Sequence, residues 1–179
     1  MSSRGRYSIT LTPNTVYIYT TPLMGSDSFH WNFVYVSSDK NYSRHHWAQD
    51  TRATSNDVAA HGFERYLNTM LGKGAQSHSG ESPVLIYFPV LSPAPDLKTF
   101  VEVCNRTFRG QDRGSTNANR AAGITCRTWV TAVLMNWMTR EQAVTIEKKV
   151  TAASQAASNK FASSYLTGQV FQTDVRGTI

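Results

Sequence analysis

Cysteine is scarce in this chain, with two in 179 residues. Two thiols cannot build the disulfide framework on which small secreted domains rely, so free cysteines in a reducing compartment are expected, most simply the cytoplasm. No apolar run approaches membrane-spanning length, so no transmembrane anchor is expected. The opening MSSRGRYSIT also lacks the apolar core of a signal peptide. Charge is thin, at 17% of residues. The net charge is +6, yet the longest basic run is Lys148-Lys149, and the nearest thing to a patch is the polar loop from Arg106 to Arg120. A nucleic-acid partner is therefore not expected. Neither Cys-x-x-Cys nor His-x-x-x-His spacing occurs. A zinc site from His45, His46, His61 and a cysteine is the natural metal alternative, but adjacent histidines on a strand point apart. Neither a metal nor a cofactor is expected.

What remains reads as one domain over 1–179, with a core at 7–138 and an Ala/Ser-rich helix at 140–166 ending before Gly168. TVYIYTTP, FHWNFVYVSS and YSRHHWAQ are rich in β-branched and aromatic residues and separated by turn-like stretches, which predicts consecutive antiparallel strands. Val58, Phe63, Tyr66, Leu67 and Met70 fall at helical spacing, predicting a helix over 55–71 stopped by Gly72, with a loop over 72–82. PVLIYFPV lies between prolines and predicts a buried strand near a sheet edge. Leu97, Phe100, Val101, Cys104 and Phe108 share one helical face after Asp96. Strands and helices are largely segregated along the chain, so the fold class is α+β.

The second cysteine stands in AAGITCRTWV. Cys126 precedes Trp129 and Val130 by three and four residues, and Val133, Leu134 and Trp137 continue the stripe. Its side chain should point toward whatever this helix packs on, here expected to be the sheet. Thr125 is a plausible N-cap, making Cys126 a first-turn residue where unpaired amides and the helix dipole favour a thiolate. The same amides could hold an oxyanion. Cys104, mid-helix on an apolar face, reads as core.

A nucleophilic thiol needs a base, and histidine suits neutral pH. His78 falls in a Gly/Ser loop and His61 within a helix that also carries Gly62, so both are expected to be solvated. His30 opens a strongly apolar strand, and alternation puts it with Asn32, Val34 and Val36 on one face, opposite Trp31, Phe33 and Tyr35. His45 and His46 occupy the next strand and face opposite ways, so only one of them can share the side of His30 and orient its ring.

FHWNFVYV, a short turn, a His-bearing strand and, much later, TCRTWV at a helix start resemble the lecithin:retinol acyltransferase-like branch of the NlpC papain-like superfamily. That branch is circularly permuted, so histidine precedes cysteine. Its members carry His-Trp before an apolar strand, a second histidine on the following strand, and an Asn-Cys-x-x-aromatic-Val box. The helix from Asp96 to Phe108, a loop and then the Cys box follow the same order. The resemblance spans residues 15–138, and Thr125 stands where the box has Asn.

The resemblance implies a permuted papain-like (NlpC-type) fold, an antiparallel sheet packed against the Cys-bearing helix. It implies Cys126 as nucleophile, His30 as general base and acid, and His46 as the third polar residue, with His45 the alternative. His46 fits better because the family's histidine precedes an apolar residue, here Trp47. The implied activity is that of a cysteine hydrolase or acyltransferase working through a thioester acyl-enzyme. Its substrate would be an amide or ester of a small-molecule, peptide or lipid-like acyl compound, with no cofactor. The rival is a binding or regulatory protein that keeps the fold without turnover.

Overall fold

The computed structural model describes residues 7–23, 28–51, 54–56, 58, 62–74, 76–78 and 83–176. Eight strands and four helices are named here: β1 (Tyr7–Ile9), β2 (Thr15–Pro22), β3 (Phe29–Val36), β4 (Asn41–Gln49), β5 (Glu64–Lys73), β6 (Gln76–His78), β7 (Ile86–Leu91) and β8 (Asp174–Val175). The helices are α1 (Leu97–Arg106), α2 (Thr116–Ala121), α3 (Cys126–Leu134) and α4 (Arg140–Thr167). Six strands form an open sheet in the order β5-β4-β3-β2-β7-β8. Every pairing in it is antiparallel except that of β7 with β8. The class is α+β, with helices packed on the sheet.

Alternation along the strands divides the apolar residues between the two faces. Ile18, Phe33 and Trp47 join Phe100 of α1, Trp129 of α3 and Val150 of α4 in one core between sheet and helices. Tyr17, Tyr19, Val34, Val36, Tyr42 and Tyr87 form a second buried cluster on the opposite face. Cys104 lies in the first core, fully buried, and burial pushes its thiol far up. The long α4 starts at a reciprocal cap between Thr139 and Gln142 and stops at Gly168, whose φ of +71° suits the left-handed turn that ends helices.

The helix expected over 55–71 is helical only at its start, and from Glu64 the chain is a strand. A helical turn begins after Thr54, with Val58 N–H donating to Thr54 O at 3.0 Å. The chain then bends at Gly62 (φ +90°) and runs as β5, paired with β4 from Asn41↔Lys73 to Gln49↔Glu64. The apolar spacing there fits either element. Without β5, the whole outer side of β4 would be unpaired, and Tyr66 could not stack on Trp129 (centroids 5.9 Å apart). Strand pairing and this packing override the local pattern. Residues 72–82 are likewise not simply a loop, since β6 lies within them and pairs with β1 in a separate two-stranded sheet.

Candidate active site

Thr125 sets the start of α3. Its Oγ1 accepts from Thr128 N–H at 3.1 Å, and Thr128 Oγ1 accepts from Thr125 N–H at 2.9 Å. This capping box makes Cys126 the first helical residue and leaves the N–H groups of Cys126 and Arg127 without a carbonyl of their own helix.

The sulfur does not simply pack on a face of the sheet. Cys126 Sγ–H donates to Phe29 O at 3.9 Å, and the N–H groups of Trp31 and Arg127 also act on the sulfur. In an antiparallel ladder, alternate residues turn both backbone groups to the same neighbour. Ser28 O accepts from Leu23 N–H on the β2 side, and Ser37 N–H donates to Asn41 O on the β4 side. Phe29 and Trp31 therefore direct their N–H and C=O toward β4. Yet the β3–β4 ladder runs only from Phe33↔His45 to Val36↔Tyr42. Upstream of Phe33 the two strands part, and the thiol takes the place that a β4 backbone would fill. Cys126 thus stands at the level of the sheet, in the opening between β3 and β4.

His30 and His46 meet across the same opening. His30 Nε2 and His46 Nδ1 are 2.9 Å apart, with ring centroids 5.2 Å apart and planes at 74°. His30 Nδ1, the ring nitrogen nearer its own backbone, is left free of that contact, and the thiol lies against the backbone on either side of His30. His45 points the other way, into the helix-side core. Its ring nitrogens meet Ser43 Oγ at 2.8 Å and Tyr66 OH at 2.7 Å, so both are taken. His78 lies in β6, paired with Tyr7, and His61 falls outside the described residues. Among the described residues, no three His, Cys, Asp or Glu side chains group as metal ligands.

The resting site is uncharged. Burial, then the charges of Arg44 and Arg120, pull His30 down to about 4. Burial, then His30, Arg44 and His45, pull His46 down to about 3. Burial pushes the Cys126 thiol up, outweighing the Trp31 N–H, Arg120 and the Arg127 N–H, while Glu64 pushes it further up.

A polar network that sequence reasoning missed holds the chain leading into α3. Asn119 Nδ2 donates to Glu64 Oε2 and to Asp112 Oδ1, each at 2.8 Å, and its Oδ1 accepts from Arg113 N–H at 2.7 Å. Asp112 also accepts from the N–H groups of Phe63, Glu64 and Gly114. Arg120 pairs with Glu64 at 3.3 Å and donates to Ile124 O. The network pins the loop before α3 to the start of β5. Gly62 must stay bare there, because a Cβ would come within 2.9 Å of Asp112 Cβ. No local pattern announces these partners, which lie far apart in the sequence.

Burial alone would raise the Asp112 carboxyl, but the hydrogen bonds from Asn119, Phe63, Glu64 and Gly114 hold it below its usual value. Folding therefore favours the ionised form. That contribution is complete above the ordinary aspartate value of about 3.9 and is lost as the pH falls through the lower folded value. Asp112→Asn should lower stability in urea at pH 7 by roughly 1–3 kcal/mol. The gap from the parent protein should narrow as the pH drops below the ordinary aspartate value of about 3.9. A gap that is constant with pH would show that the carboxylate charge does not matter.

A cleft of about 720 Å³ opens beside this network, lined by Trp47, Glu64, Tyr66, Asn105, Arg109 and Asp112 among others. None of Cys126, His30 and His46 lines it. Glu64 links the two regions, since its charge reaches Cys126. No protein-family model, curated protein or solved structure matches this chain.

Proposed function

We propose that the protein is a thiol-dependent hydrolase or acyltransferase built on a permuted papain-like, NlpC-type fold. The observation that carries the reading is the His30 Nε2 to His46 Nδ1 contact across the opening that holds Cys126 Sγ. A base needs one ring nitrogen free for the nucleophile and the other held by an orienting partner. With His30 Nε2–H donating to His46 Nδ1, His30 Nδ1 carries the lone pair that takes the thiol proton.

In this reading the proton moves from Sγ to His30 Nδ1 as sulfur bonds to the acyl carbon. The carbonyl oxygen gains charge next to the N–H groups of Cys126 and Arg127, which the cap leaves over. His30 then protonates the departing amine or alkoxide, leaving a thioester on Cys126. Water completes a hydrolase cycle, while an amine or alcohol completes an acyl transfer, each activated by His30. The acyl donor is an amide or ester of a small molecule, peptide or lipid-like acid. Because thiol and imidazoles are neutral at rest, proton transfer accompanies attack and no preformed ion pair is needed.

The rival reading, a binding protein on the same fold, draws on one observation: Cys126 is only 8% exposed. p-Nitrophenyl acetate separates the two. A burst of p-nitrophenol with an acetyl group on the Cys126 peptide, seen by mass spectrometry, is the expected result. An unchanged intact mass with background hydrolysis only would favour the binding protein.

A further inference from the structure

Among the described residues, Arg44 is a cation without a counter-ion beside the proposed site. It pairs with Val34 in the β3–β4 ladder, which puts it on the face opposite the helices, two residues from His46 on the same strand. Tyr19, opposite Asn32, shares that face. The neighbouring polar side chains there, Tyr19, His30, Asn32 and His46, are all neutral. Among the described residues the ion pairs occupy Arg65, Arg120, Arg127 and Arg176, not Arg44. The buried Arg44 Nε has no hydrogen-bond partner among the described residues, and the guanidinium is met only by the neutral Tyr19 hydroxyl. Desolvating a guanidinium is costly unless an anion meets it, and its planar fork matches a carboxylate.

We propose that Arg44 binds a carboxylate carried by the acyl substrate, so the protein acts on amides or esters that bear a second, anionic group. This rests on the hydrolase or acyltransferase reading above and narrows it. Arg44 acts on His30, His46 and Tyr19, whereas the charges acting on Cys126 are those of Arg120 and Glu64. The anion therefore sits away from the sulfur, with Arg44 about 7 Å along the strand from His46 at a strand's rise per residue. The carboxylate and the reacting carbonyl must be separated by several bonds. Arg120 is not the anchor, because Glu64 already neutralises it.

The test compares two alkylating probes on the whole chain: N-iodoacetylglycine, whose carboxylate lies beyond an amide from the reactive carbon, and its neutral analogue N-iodoacetylglycinamide. Cys126 should react roughly tenfold or more faster with the anionic probe, the gain expected of a charge-assisted hydrogen bond. Cys104 and free glutathione should show no such preference. Arg44→Gln should abolish it, Arg44→Lys should keep part of it, and Arg120→Gln should leave it in place. Butyrate, and not butyramide, should protect Cys126 from iodoacetamide in the unaltered protein, a readout that needs no variant to fold. Equal rates for the two probes, a preference that survives Arg44→Gln, or equal protection by butyrate and butyramide would overturn the assignment. If Cys126 outpaces Cys104 while the probes react equally, Arg44 is wrong and the thiol site stands. If neither probe labels Cys126 ahead of Cys104, the thiol site itself fails and Arg44 loses its role with it.

Discussion

Cys126→Ala should abolish acyl-enzyme formation and turnover of p-nitrophenyl acetate, since no other described cysteine stands near the His30–His46 pair. His30→Ala should cost nearly as much, about 10²- to 10⁴-fold, the usual range for a lost general base. The double variant should be no worse than Cys126→Ala alone, because nucleophile and base act as a unit. His46→Ala should fall between His30→Ala and the parent, since it removes only the partner that holds His30 Nε2. His46→Gln, which can still accept that hydrogen bond, should recover part of the rate.

His45 should behave differently. It is 1% exposed and hydrogen-bonded to Ser43 and Tyr66. His45→Ala strands both hydroxyls, so it should lower stability while leaving kcat of the folded fraction near the parent value. Steady-state rates beside urea unfolding curves check this split. Were His45→Ala to silence the folded enzyme while His46→Ala did not, the roles would be reversed. Full rates in all three histidine variants would end the Cys-His mechanism.

The second large effect concerns stability. Trp129→Ala should cost about 3–5 kcal/mol, as large-to-small changes in a tight core do. At this chain length that is a fall in Tm on the order of 10 °C. Trp129 is fully buried, lies 5.7 Å from the Phe33 ring and stacks on Tyr66 at 22°. It therefore ties α3 to both β3 and β5. Trp129→Phe should cost clearly less than Ala, because it keeps an aromatic ring and removes an indole N–H that is buried without a partner among the described residues. Calorimetry on both variants decides it. Equal losses would mean that the indole N–H has a partner and the orphan is not real.

These effects also mark where the sequence was readable. β2, β3 and β4 carry alternation and β-branched residues, and Asp96 and Thr125 cap their helices as side chains that accept from the third residue onward. Such signals are local, so they survive without tertiary knowledge. Strand parity alone restricted the partner of His30 to one of two adjacent histidines, and the ring contact is with His46. β5 was misread because a spacing of three and four also fits a strand whose outer half is exposed, as at Met70. The position of Cys126 in the plane of the sheet was not readable at all. It depends on where β3 and β4 part, and register is a long-range property. Arg44 was within reach of the same parity argument, two residues before His46. The Asp112–Asn119–Glu64 network was not, because its members meet only when the loop before α3 closes on β5.

β8 is only two residues long, and it lies beside the most apolar strand of the sheet. Asp174 N–H donates to Leu85 O and Arg176 N–H to Tyr87 O, while Thr173 Oγ1 donates to Val84 O and Phe171 fills the helix-side core. Without this segment, the backbone edge at residues 84–87 would be an open, oily template of the kind that recruits other chains. The segment after α4 thus shields a sheet edge as well as adding to the core. It covers the outer edge of the sheet at residues 84–87, and a chain cut after Gly168 should scatter more light on standing than the whole chain does.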